Sequence, residues 1–256
     1  MPRFAANLSF LFTELPFEQR FDAAAKAGFG GVEFLFPYEY APEKLRQLAD
    51  DAGVKIVLLN APPGNWDGGD RGIGAVPGRE SEFNEGVEKA AHYARILGCP
   101  RVHVMAGIAP ENEKELYRDT FLQNIKTAGS HFSLHGIEAL IEPINPIDMP
   151  GYLINLPEDA SYIIEASGLK NVCMQYDLYH GAMQNIDLVY SVARHMPVIR
   201  HFQVAGAPGR NEPIYGDTDF SHIFWLIDQI GFDGWVGCEY RPNSDTLSGL
   251  GWMKNI

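Results

Sequence analysis

A closed (β/α)8 barrel, the TIM-barrel architecture, is the fold class this sequence predicts, on three observations. Short apolar runs rich in β-branched and aromatic residues recur eight times, helix-like segments fill the intervals, and 256 residues is about what one such barrel needs. The runs are FAANLSF (4–10), GVEFLF (31–36), KIVLLNA (55–61), RVHVMAG (101–107), EALIEPI (138–144), NVCMQYD (171–177), IRHFQVA (199–205) and GWVGCEY (234–240). Strict alternation with no antiparallel run demands a parallel sheet, because each new strand must be reached by a crossover. Eight repeats with no switch in order favour closure over an open doubly wound sheet. No GxGxxG fingerprint opens the first crossover, as a dinucleotide site would require. No linker or composition shift divides the chain, so residues 1–256 read as one domain.

The intervening helices carry their own punctuation. Residues 17–26 place alanines and apolar side chains at helical spacing and stop at Ala27–Gly28; residues 42–52 stop at Gly53 and residues 80–97 at Gly98. Residues 111–130 form a long amphipathic stretch. Residues 157–166 open on a proline, whose missing N–H costs nothing in a first turn, and stop before Gly168. Residues 185–195 and 219–230 complete the set. One connection is long. PPGNWDGGDRGIGAVPGR (62–79) leaves the carboxyl end of the third run, the face on which barrels of this architecture build their active sites. Its GGDRGIG lacks the GK[ST] ending of a phosphate-binding loop.

Composition excludes several function classes. A net charge of −13 argues against a nucleic-acid partner, since neutralising phosphates takes clustered Lys and Arg. No apolar run approaches the roughly 18 residues of a membrane span. Cys99, Cys173 and Cys238 are odd in number and lack C-x-x-C spacing, and two lie inside strand-like runs, so they read as buried inert thiols of a reducing compartment. The opening MPRFAANLSF enters a strand at once and has no signal-peptide anatomy, which gives a cytoplasmic expectation. A homo-oligomer is left open.

The chemistry lies in the second half. Glu142, Asp177, Gln203 and Glu239 stand at the ends of the last four runs, spaced 35, 26 and 36 residues apart, about one strand-plus-helix unit each. A buried carboxylate is costly unless something neutralises it. Three carboxylates and an amide at equivalent positions therefore point to a divalent cation, and hard oxygen donors suit Mg2+ or Mn2+ better than zinc. Strand parity adds companions. If Glu239 faces the barrel interior, Trp235 and Gly237 do too and Cys238 faces out; Asp177 brings Gln175 and Cys173 inward, and Gln203 brings His201. A dication that chelates the two oxygens of a 2-hydroxy ketone or aldehyde acidifies the neighbouring C–H and stabilises the enediolate that forms. Glu142 and Glu239, from strands five and eight, can then take and return the proton.

His180, three residues past Asp177 on the following loop, is a candidate hydrogen-bond partner for the substrate oxygen that changes charge. Arg210, seven residues past Gln203, joins Arg71, Arg79 and Arg241 on loops of the same face. Three carboxylates around one dication leave a formal −1, so an anionic substrate needs arginine, and four arginines fit a small acid better than a neutral sugar. His103 and Glu33 read as barrel residues with satisfied structural roles.

Taken together, FAANLSFLFTELPF, GVEFLFPYEY, VPGRE, RVHVMAG, QYDLYH, HFQVAG and GWVGCEYRP…GLGW resemble the hydroxypyruvate isomerase family, one of the xylose-isomerase-like barrels, from Phe4 to Trp252. The resemblance implies isomerisation of hydroxypyruvate to 2-hydroxy-3-oxopropanoate (tartronate semialdehyde). It implies Glu142 and Glu239 as the acid/base pair and Glu142, Asp177, Gln203 and Glu239 as the metal ligands. Sugar epimerases of the wider group are similar but carry histidine where this chain has Gln203, which speaks against that activity. A sister group that resembles this one acts on 2-oxo-tetronate, one carbon longer, and the 62–79 loop is the expected seat of the difference. A metal-dependent endonuclease of the same barrel class is a further alternative, opposed by the negative charge and the few active-face histidines.

Overall fold

The structure, a computed structural model, describes residues 2–254. Eight parallel strands close on themselves in chain order: β1 (Phe4–Asn7), β2 (Gly31–Phe34), β3 (Lys55–Asn60), β4 (Arg101–His103), β5 (Glu138–Ile141), β6 (Val172–Asp177), β7 (Ile199–Val204) and β8 (Val236–Cys238). The seam pairs β1 with β8, Ala5 opposite Gly237. Outside run α1 (Phe17–Lys26), α2 (Pro42–Ala52), α3 (Glu80–Leu97), α4 (Lys114–Ser133), α5 (Pro157–Ser167), α6 (Leu178–Met183), α7 (Leu188–His195), α8 (Ser221–Gln229) and a last turn, α9 (Thr246–Gly249). Among the described residues no helix is long and apolar enough to cross a membrane.

The predicted barrel is therefore the observed one, and the differences fall at element ends. The apolar runs outlast their ladders. β4 stops at His103, yet Val104, Met105 and Ala106 stay buried because the long β3–α3 loop folds over them. Glu142 and Glu239 each stand one residue beyond a ladder, while Asp177 and Gln203 lie within theirs. The segment after Asp177 is a helix, not the predicted loop. The Asp177 carboxylate caps it, accepting from the Tyr179 amide at 2.9 Å, and six residues are too few to show a period in sequence. α7 starts at Leu188 rather than 185, because Asn185 takes a φ of 55° and Asp187 caps the helix from the Tyr190 amide at 3.0 Å.

The barrel interior has two levels. Ala5, Leu58, Leu140 and Cys173 pack with Trp235 into an apolar floor. Above it the inward positions turn polar: Asn7, Glu33, His103, Gln175, His201 and Gln203 are each at most 1% exposed. Cys173 thus faces inward, whereas Cys238 packs with the helix layer, as strand parity predicts. All three cysteines are free and buried, and burial pushes the Cys99 thiol up to about 12.

Candidate active site

The site is built upward from Glu33. His201 Nε2 meets its Oε2 at 2.6 Å, and Asn7 and Gln203 donate to its Oε1 at 3.0 and 2.8 Å. Those two amides reach on to Glu239, donating to its Oε2 at 2.9 and 2.6 Å. Gln175 donates to Gln203 Oε1 at 2.6 Å, so Gln203 meets both carboxylates through its nitrogen. Gly237 faces this cluster, and a Cβ there would overlap the Glu33 carboxylate. One hydrogen-bonded platform drawn from β1, β2, β6 and β7 therefore carries Glu239.

The second tier comes from β5, β6 and α6. Glu142, Asp177 and His180 each offer an atom within 4.8 Å of the others. His180 Nε2 lies 3.7 Å from both Glu142 Oε1 and Asp177 Oδ2. Asn145 settles what that nitrogen carries. Its Oδ1 accepts the Ile147 and Asp148 amides, so its Nδ2 donates to His180 Nδ1 at 2.6 Å, and the ring proton sits on Nε2. His180 therefore faces the carboxylates as a donor rather than with a free lone pair. Burial holds it well below the ordinary histidine range.

Arg210 closes the tier. Its Nη2 lies 2.5 Å from Glu239 Oε1 and 3.6 Å from Asp177 Oδ2, and its guanidinium packs on the Phe10 and Tyr179 rings. One arginine does not balance three buried acids. Burial, then Glu239 and Asp177, hold the Glu142 carboxyl well above the usual range. Burial pushes Glu239 up to about 8 and Asp177 up to about 6, with Arg210 opposing each. Glu142 Oε1 and Asp177 Oδ2 are buried with no hydrogen-bond partner. Orphaned carboxylate oxygens turned to a common space fit a divalent cation, which compensates their charge and lone pairs together.

Above lies a cavity of about 580 Å³ lined by Glu142, Glu239, His180, Arg210 and Arg71, among others. Asp177 and Gln203 are not in its wall. Arg79 is not in its wall, because Asp70 and Glu82 each hold its guanidinium at 2.8 Å and tie the 62–79 loop to α3. His103 departs from its expected satisfied role. It lines the cavity 3.4 Å from Glu142, and neither ring nitrogen has a hydrogen-bond partner. Sequence reasoning passed over Asn7 and Asn145. Asn7 carries a signal, a polar residue ending an apolar run at the level of Glu239; Asn145 carries none.

A parallel barrel with convergent carboxylates at the carboxyl ends of its strands defines a TIM-barrel enzyme. The chain belongs to the xylose isomerase-like TIM barrel family, whose model matches residues 21–256. Over 255 residues it is 44% identical to the 2-oxo-tetronate isomerase of Cupriavidus necator, covering 99% of this chain and 98% of that one. To the hydroxypyruvate isomerase of Escherichia coli it is 39% identical, with coverage of 99% and 98%. A solved structure from Brucella melitensis, described as an AP endonuclease of family 2, superposes with a TM-score of 0.97 at 41% identity, covering 100% of this chain and 99% of that one. The protein is an isomerase of this family.

Proposed function

We propose that the enzyme interconverts hydroxypyruvate and 2-hydroxy-3-oxopropanoate through an enediolate, with Mg2+ or Mn2+ held by Glu142, Asp177, Glu239 and Gln203, the last through the Oε1 that accepts from Gln175 here and has a second lone pair to offer. The observation that carries this reading is the pair of buried, partnerless oxygens, Glu142 Oε1 and Asp177 Oδ2. When bound, the cation supplies charge stabilisation for the two adjacent substrate oxygens. The residues of the chain move the protons. One of Glu142 and Glu239, as carboxylate, takes a proton from C3 of hydroxypyruvate, and the C–H electrons form the enediolate. The other, as carboxylic acid, returns a proton to C2. The hydroxyl proton passes from the C3 oxygen to the C2 oxygen, so the product is an isomer with no net gain of atoms. In this scheme His180 Nε2–H donates to the substrate oxygen that bears the new charge. The Asn7 and Gln203 amides fix Glu239 in place. Apolar walls at Phe10, Phe36 and Met149 keep water from the intermediate.

The test is Glu142→Gln and Glu239→Gln. Each should lose at least about 10²-fold in turnover while the fold melts normally, and near-normal turnover by both variants would sink the two-carboxylate scheme. Hydroxypyruvate incubated in D2O with wild type should gain deuterium on carbon.

A second reading, 2-oxo-tetronate as substrate, is favoured by the name of the Cupriavidus relative and by a cavity with room for one more carbon. Steady-state comparison of the two acids under matched Mg2+ and Mn2+ separates them. Sugar epimerisation is opposed by Gln203 and the arginine-rich mouth. DNA cleavage is opposed by the −13 charge, and nicking of abasic DNA would revive it. In this reading the partner is a small hydroxy-oxo acid, and the buried free thiols fit a cytoplasmic setting.

A further inference from the structure

We infer that Arg71, seated on Trp66, is the subsite for the substrate carboxylate; this rests on the reading of the substrate as a small hydroxy-oxo acid. The mouth is divided. Glu142, Asp177, Arg210 and Glu239 come from β5 through β8 and the loops that follow them, and they occupy one side. The other side, over β2 to β4, is walled by Phe36, Asn60, Trp66, Arg71, His103 and Met105. Arg71 is the one cationic side chain in that wall among the described residues. A molecule whose reacting carbons lie against Glu142 and Glu239 would meet Arg71 where its remaining atoms cross the shared cavity to this wall.

Arg71, unlike Arg210 and Arg79, is also left uncompensated among the described residues. Arg210 is engaged by Glu239 and Asp177, and Arg79 by Asp70 and Glu82. Arg71 has no acidic partner among the described residues. Its Nη1 donates to two carbonyl oxygens, Asp70 O at 2.7 Å and Trp66 O at 3.0 Å, and among the described residues Nε and Nη2 have no hydrogen-bond partner. The adjacent Asp70 carboxylate is held by Arg79 at 2.8 Å and by the Asn65 amide at 2.7 Å, and so is kept from neutralising it. Arg241 also borders the cavity, but it follows β8 and its side chain is exposed.

The group is fixed rather than loose. Its guanidinium lies 4.2 Å from the Trp66 ring centroid, and Trp66 leans on Phe36. The following residues bind to the extension of β4: Gly72 bridges Ala106, and the Ala75 amide donates to Ala106 O at 2.7 Å. Gly72 takes a φ of 100°, and a Cβ there would overlap Met105, so this close approach needs glycine. A planar fork held half-desolvated on an aromatic ring matches a carboxylate in geometry and loses little freedom on binding.

The experiment measures binding of d-glycerate, an unreactive hydroxy acid, to wild type, Arg71→Met and Arg71→Lys by calorimetry with Mn2+ present. Kinetics with hydroxypyruvate and 2-oxo-tetronate run beside it. Expected for Arg71→Met is glycerate binding weaker by roughly 10- to 100-fold. KM for the acids should rise by a similar factor, with kcat within about threefold and an unchanged melting temperature. Arg71→Lys should recover part of the loss, since it keeps the charge without the fork. Equal glycerate affinity in wild type and Arg71→Met, or no glycerate binding by wild type, overturns the inference. If wild type turns over neither acid while glycerate binding still depends on Arg71, the proposed reaction fails and the subsite stands.

Discussion

Gly237→Ala tests the platform beneath the site with a single methyl group. A Cβ built at Gly237 lies 2.5 Å from Glu33 Cδ and closer still to both carboxylate oxygens. A free glutamate would swing aside at little cost. Glu33 has no such freedom: it is 1% exposed and pinned by His201 at 2.6 Å, Gln203 at 2.8 Å and Asn7 at 3.0 Å. Relieving the overlap must break at least one of these contacts. Overpacking costs about 1–3 kcal/mol, and a hydrogen bond to a charged group contributes about 1.5–3 kcal/mol. Together the loss comes to about 3–5 kcal/mol, a large share of the 5–15 kcal/mol typical of a folded domain. At about 2–4 °C per kcal/mol for a chain near this size, the melting temperature should fall by roughly 6–20 °C. Turnover should fall by 10-fold or more, because Gln203 and Asn7 are the groups that hold Glu239 and small misplacements of reacting groups are costly. Scanning fluorimetry and steady-state kinetics read both quantities. Gly30→Ala is the control, since its Cβ meets Trp235 at an ordinary 3.6 Å. A Gly237→Ala protein with wild-type melting and turnover would show that Glu33 does not organise the site.

Further outcomes follow from the same contacts. In chelator, stability should fall as pH rises from 4.5 toward 8. The folded Glu239 carboxyl keeps its proton up to about 8 while the unfolded one loses it near 4.5, so the stabilisation is full below 4.5 and lost through about 8. Asp177 acts in the same direction between 3.8 and about 6, and each group contributes a slope of up to about 1.4 kcal/mol per pH unit. Excess Mn2+ should flatten this decline in a melting series at pH 5–8.5, and a melting temperature that climbs with pH in chelator would contradict the assignment. Arg79→Ala should lower the melting temperature by no more than about 4 °C, since its ion pairs are partly exposed and contribute about 1 kcal/mol or less; KM for the acids should stay unchanged. Asn145→Ala should reduce turnover by about 10-fold or more, by freeing His180 to place its proton on either nitrogen, and a wild-type pH–rate profile for this variant would count against the tautomer assignment.

The eight apolar runs and their glycine stops reveal the barrel because burial and periodicity are local signals. A strand covered on both faces must be apolar along its length, and a helix end must leave αR. The four polar residues at the ends of the last four runs stand out for the same reason, each breaking a pattern that burial would otherwise impose. The short helix after Asp177 was not legible, since a capped turn and a half has no period to detect. The roles of the arginines were not legible either. Arg71, Arg79 and Arg210 look alike in sequence, all on loops of one face. Which of them meets an acid depends on Asp70, Glu82 and Glu239, brought close only by the fold.

By itself, then, the sequence determined the alternation, the closure, and the identity of the carboxylates at the barrel mouth. The tertiary structure decided how they are connected: Glu33 of β2 beneath Glu239 of β8, Asn145 orienting His180, and Arg71 left without an acid among the described residues. The Asn7–Glu239 bond beside them joins residues 232 positions apart in the chain. Their energies arise from proximity in a dry interior, and no local pattern of residue types encodes proximity across a closed barrel.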